Sequence, residues 1–123
     1  MAVAFNRAAR VRFVLPEDEA LPADQQTVWI LRPLTVFETM ELESEYGTSV
    51  EGTKAARYAV DMLRRALVGW ENLKLEDGTQ APFVAVNGVA TDATIEFAQP
   101  YLLPLFVRAR QMNSVTQGEA GKS

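Results

Sequence analysis

The chain contains no cysteine and no histidine, and each absence closes off a class of chemistry. Without thiols there are no disulfides and no thiolate nucleophiles or ligands, which fits a reducing compartment without requiring one. Without imidazole the chain lacks the side chain that titrates nearest neutrality and serves most often as a metal ligand. The familiar nucleophile–base dyads and zinc sites are therefore excluded, and no metal or organic cofactor is expected. Basic residues are in deficit: 12 Lys and Arg against 16 Asp and Glu leave a formal net charge of −4. Phosphate-backbone binding draws on clustered cations, so nucleic acid is not an expected partner. Nor is there an apolar run of about 18 residues, the length a membrane-spanning helix needs. The opening Met1-Ala2-Val3-Ala4-Phe5-Asn6-Arg7 has too short an apolar stretch for a signal peptide, so no membrane is expected and the chain should remain in the cytoplasm where it is made.

What is present suits a folded protein. The 123 residues are 48% hydrophobic and 23% charged, inside the globular range, and the length suits one domain around one core. That domain is expected over residues 1–113, with residues 114–123, polar and without periodicity, as a flexible tail. The expected architecture is α+β and mainly helical: an N-terminal antiparallel β-hairpin packed on a bundle of three or four helices.

The hairpin is placed within residues 10–33. Val11-Arg12-Phe13-Val14-Leu15 and Thr27-Val28-Trp29-Ile30-Leu31 are rich in β-branched and aromatic residues, and Pro16 and Pro33 close them. Residues 17–26, with Glu17, Asp18, Glu19, Pro22 and Asp24, read as the exposed loop between them. The helical part occupies residues 35–113. Thr35-Val36-Phe37-Glu38 has capping-box spacing and opens a helix ending at Gly47, and Thr48-Ser49-Val50-Glu51 repeats the signal. The second helix is expected to run through Ala55, Ala59, Met62, Leu63, Ala66, Leu67 and Trp70, with Gly69 marking its end. Asp77-Gly78 and Asn87-Gly88 are turn signals, so residues 71–90 read as a small hairpin or loop, with Phe83-Val84-Ala85-Val86 extended. Thr91 or Asp92 caps a third helical region, which Pro100 breaks into a short helix and a longer one. The expected core is Trp29, Leu31, Phe37, Met40, Leu63, Leu67, Trp70, Phe83 and Phe106.

Three groups of residues bear on function. Glu38, Glu41, Glu43, Glu45 and Glu51 crowd the first helix and its flank. They lack the alternating ligands and glycine turn of a calcium loop, and read as a solvated face or an acidic docking surface. Arg57, Arg64 and Arg65 match carboxylate geometry, and read as solvated or as partners for those acids rather than as an anion site. Tyr101, Leu102, Leu103, Leu105, Phe106 and Val107 are too many apolar neighbours for one narrow helical face, so part of this segment is a candidate partner-binding surface. No catalytic constellation emerges, and the chain reads as a non-enzymatic interaction protein.

Leu67-Val68-Gly69-Trp70-Glu71-Asn72-Leu73, continuing to Glu76-Asp77-Gly78 and Pro82-Phe83, resembles a family of small tailed-bacteriophage proteins, the tail assembly chaperones. Trp29-Ile30-Leu31-Arg32-Pro33-Leu34-Thr35 and Gln111-Met112-Asn113-Ser114 are similar too, so the resemblance extends over about residues 27–114. The resemblance implies an assembly factor in the host cell cytoplasm. Such a factor binds the long, largely helical tape measure protein, or another helical phage structural protein, and keeps it soluble until tube subunits polymerise around it. A homo-oligomer is also compatible with it. Two other readings stay open: a structural or connector subunit that remains in the virion, and a small phage inhibitor of a host protein.

Overall fold

Val11, Phe13, Trp29 and Leu31 alternate with polar or half-exposed neighbours, the period-two pattern of strands with one buried face. In a computed structural model, which describes residues 10–47 and 52–121 and only the backbone of residues 113–121, they form β1 (Val11–Phe13) and β2 (Val28–Leu31). The two pair antiparallel with Val11 opposite Leu31 and Phe13 opposite Trp29. Two short 3-10 turns, Pro16–Asp18 and Ala23–Gln25, lie in the connecting loop, and neither buries a residue.

Helix α1 (Val36–Tyr46) begins at a complete capping box. The Glu38 N–H donates to Thr35 Oγ1 at 3.1 Å and the Thr35 N–H donates to Glu38 Oε1 at 3.0 Å, which satisfies two helix-start donors reciprocally. Arg32 adds a fork of two 2.8 Å bonds to the Glu38 carboxylate. The chain leaves α1 through Gly47 at φ 76°, a conformation that costs glycine nothing sterically. The expected second capping box, residues 48–51, lies outside the described residues. Helix α2 spans Gly52–Ala66.

Here the structure departs from the sequence reading. The helix does not reach Trp70: it stops at Ala66, and β3 (Leu67–Glu71) follows without a loop. β3 pairs antiparallel with β2, Trp70 opposite Trp29 and Glu71 opposite Val28, to complete a three-stranded sheet in the order β1-β2-β3. The Arg32 N–H donating to the Ala66 carbonyl at 2.8 Å carries the pairing to the helix end. Leu63, Ala66, Leu67 and Trp70 suit a helical stripe, but Val68 and Trp70 also favour a strand and Gly69 weakens a helix by about 1 kcal/mol. Cross-strand pairing with β2 decides between them.

Beyond β3, the Asp77 and Gly78 turn is closed by an isolated bridge between Lys74 and Gln80. β4 (Ala85–Val86) and β5 (Val89–Ala90) form the small hairpin. Asn87 and Gly88 at its tip both have positive φ, 54° and 78°, as a two-residue type I′ turn requires. Thr91 caps α3 (Asp92–Phe97), accepting from the Thr94 N–H. The break at Pro100 is a 3-10 turn, Gln99–Tyr101, before α4 (Leu102–Gly121). The backbone of α4 continues as helix through residues 114–121, and residues 122 and 123 lie outside the described residues.

The fold is therefore α+β, a small antiparallel sheet against helices. α2 packs mainly on α4 and also meets α1, α3 and β3. One cluster of buried residues joins the layers: Leu15, Trp29, Leu31, Leu42, Leu63, Leu67, Trp70 and Leu105 belong to it. Phe83 and Phe106 pack against its edge. Phe37 and Met40, expected in the core, are instead 65% and 58% exposed. Leu42 and Tyr46, one turn apart, hold the inner face of α1, and positions 37 and 40 fall on the opposite side of a 3.6-residue period. Among the described residues no helix is long and apolar enough to cross a membrane.

Candidate functional site

The segment singled out on α4 divides between core and surface. Leu105 is fully buried and drops out as a partner contact, because it sits on the stripe of α4 that faces α2. Tyr101 packs on Trp29 with ring centroids 5.3 Å apart, and Phe106 lies edge-on to Tyr58 at 5.8 Å. Leu102 is half-buried against the same core. Leu103 and Val107 remain outward, 73% and 46% exposed, and a spacing of four places them on one face of the helix.

A larger apolar surface lies where the sequence reading placed core. Val36, Phe37 and Met40 are all exposed on the outer side of α1, with exposed Ser44 one turn beyond Met40. The signal for this arrangement was available in the spacing. Leu42 and Tyr46 define one stripe, which Val36 and Met40 cannot share, and Glu38 is committed to the cap. The expectation failed because apolar character alone does not say which of two apolar faces is inside.

The acids of α1 fall into two kinds. Glu38 is held by Arg32 and Thr35. Burial alone would raise its pKa, but the Arg32 hydrogen bonds, the Thr35 backbone and the guanidinium charge outweigh that and hold it below the ordinary carboxylate range. Glu41 meets Arg65 at 2.9 Å yet stays two-thirds exposed, while Glu43 and Glu45 are exposed with no ion pair among the described residues. Among those residues no group of three or more acids could hold a metal ion. Arg64 is used internally: its Nε donates to the Ala90 carbonyl at 3.0 Å, and its guanidinium lies 3.3 Å from Asp92.

Where α1 meets α2, an open cleft of about 300 Å³ is lined by Tyr46, Thr53, Ala56, Arg57, Val60 and Asp61. The Tyr46 hydroxyl donates to Asp61. That bond, then burial and the Asp61 charge, push the phenol up to about 12. Tyr46 therefore keeps its proton throughout the neutral range, and Asp61 is already engaged by it and by Arg64 at 3.9 Å. Phenol and carboxylate thus satisfy each other, and the phenol is not poised near neutral pH for proton transfer.

Two further polar contacts, one buried and one exposed, hold elements together. The Thr94 hydroxyl donates to the Val84 carbonyl at 3.0 Å and accepts from the Val84 N–H at 3.1 Å, pinning the β4–β5 hairpin to α3. Arg12 on β1 reaches across the sheet to Glu71 on β3, 2.9 Å away. Among the described residues, exposed large apolar side chains stand on the outer faces of α1 and α4, and others at Leu21, Val84 and Val86 lie outside the helices. Compared with family models, curated proteins and solved structures, the chain finds no match.

Proposed function

We propose that this chain is a bacteriophage tail assembly chaperone that binds a helical segment of the tape measure protein and keeps it soluble before the tube assembles. One observation carries the reading furthest. Large apolar side chains are displayed on helices that already bury another face: Val36, Phe37 and Met40 on α1, Leu103 and Val107 on α4. Such faces take the apolar side of another helix, with anchors at three- and four-residue spacing. The resemblance over residues 27–114 points the same way.

The reading is tested by co-expressing the full chain with a tape measure segment. Co-purification of the two, and absence of the chain from purified particles, are the results expected. Presence in particles at fixed stoichiometry would replace the reading with a connector subunit. Failure to retain any tape measure segment, together with toxicity to host cells when the chain is expressed alone, would replace it with a host inhibitor.

A further inference from the structure

Helix α1 is acidic and amphipathic on its outside as well as its inside. Val36, Phe37 and Met40 make an exposed apolar stripe about 6 Å long at a rise of about 1.5 Å per residue, and the small, exposed Ser44 continues the same face one turn on. By the helical period Glu43 flanks one side of it, and Glu41 and Glu45 flank the other. No Lys or Arg occurs in α1. The Arg65 that meets Glu41 leaves that carboxylate 66% exposed, and the other two flanking carboxylates have no ion pair among the described residues.

We propose that this face seats a cationic amphipathic helix, one whose apolar stripe is bounded on both sides by Lys or Arg. The proposal rests on the helical-partner reading above and adds the partner's chemistry. The apolar stretch matches a little over one turn of such a helix, enough for two apolar anchors at three- or four-residue spacing. Burial of Phe37 and Met40 drives the association, and the flanking carboxylates select the partner: they attract a basic rim and repel an acidic one or an anionic lipid surface.

Two designed peptides of equal length and equal apolar stripe test it against the full chain, one with Lys and Arg flanks and one with Glu and Asp flanks, each labelled for fluorescence anisotropy. The basic peptide should bind about tenfold or more tightly than the acidic one, and weaken as salt is raised. Phe37→Ser with Met40→Ser should reduce binding of the basic peptide by about tenfold or more, with unchanged circular dichroism, since neither side chain is core. Glu43→Lys with Glu45→Lys should narrow or invert the preference while leaving the apolar contacts in place. Equal affinity for the two peptides, or binding that survives the serine pair, overturns the proposal. So does a serine pair that changes the sedimentation of the chain by itself, because the face would then belong to a second copy. If tape measure segments fail to co-purify while the peptide results hold, the chaperone reading falls and this inference stands. If a tape measure segment co-purifies with the serine pair undiminished, the inference falls and the chaperone reading stands.

Discussion

Trp70 sits where rings converge, edge-on to Trp29 at 5.9 Å, to Phe83 at 5.0 Å and to Phe97 at 6.4 Å. Its indole N–H donates to the Ala81 carbonyl at 2.8 Å, so one side chain ties β3 to the loop beyond it and to α3. Trp29, its cross-strand neighbour, is the contrary case. It is completely buried, and its Nε1 has no hydrogen-bond partner among the described residues, a penalty of about 1 to 3 kcal/mol that ring packing has to outweigh. Trp70→Ala is expected to cost about 3 to 5 kcal/mol, from the lost packing and the cavity left behind. Urea denaturation followed by the remaining tryptophan's fluorescence measures it. A loss under about 1 kcal/mol would mean that the ring carries little of the core.

At the scale of the element, α1 depends on its first turn. Thr35, Glu38 and Arg32 interlock there, with both groups of the ion pair about four-fifths buried by side-chain exposures of 17% and 20%. Glu38→Gln keeps the shape and weakens the charge-assisted bonds, at an expected cost of about 1 to 2 kcal/mol at neutral pH. The pH dependence has a definite sign. Folding lowers the Glu38 pKa, so the unfolded chain binds the proton more tightly. The contribution is then complete above the ordinary glutamate value, about 4.3, and is lost as pH falls through the folded value. Urea midpoints of wild type and Glu38→Gln should therefore lie apart at pH 7 and converge as pH falls below the ordinary glutamate value and through the lowered folded one. A constant separation across that range would show that the carboxylate charge contributes nothing.

For the molecule as a whole, the position of β3 in the chain matters most. The strand beside β2 comes from beyond both α1 and α2, so completing the sheet closes a loop that contains both helices. A hairpin of two short strands is marginal in water, and so are helices of this length on their own. Leu31, Leu42, Leu63, Leu67, Ile95 and Leu105 belong to one buried cluster, so sheet and helices should unfold together. Far-ultraviolet circular dichroism, which follows the helices, and tryptophan fluorescence, which follows the sheet through Trp29 and Trp70, should give coincident urea transitions. Separate transitions would show that the sheet and the helices are independently stable.

The sequence by itself determined the features that depend on a few adjacent residues. Thr35 and Glu38 announced the start of α1, Thr91 or Asp92 that of α3, Asn87-Gly88 the hairpin turn, and Pro100 the break before α4, because caps, positive φ and a missing N–H act within one turn of chain. The antiparallel pairing of β1 and β2 was legible for a similar reason: both runs are rich in β-branched and aromatic residues and closed by proline, and a polar loop joins them. Only the tertiary structure decided the rest. Residues 67–71 carry a pattern that fits helix or strand, and the choice was made by Trp29 and Leu31, distant in sequence, offering an edge to pair with. Phe37 and Met40 have the composition of core, and Leu105 that of an exposed candidate. Their exposures were set by which stripe of each helix met α2, since an apolar residue is drawn out of water wherever a neighbour covers it, and the neighbour is fixed by packing rather than by the residue itself.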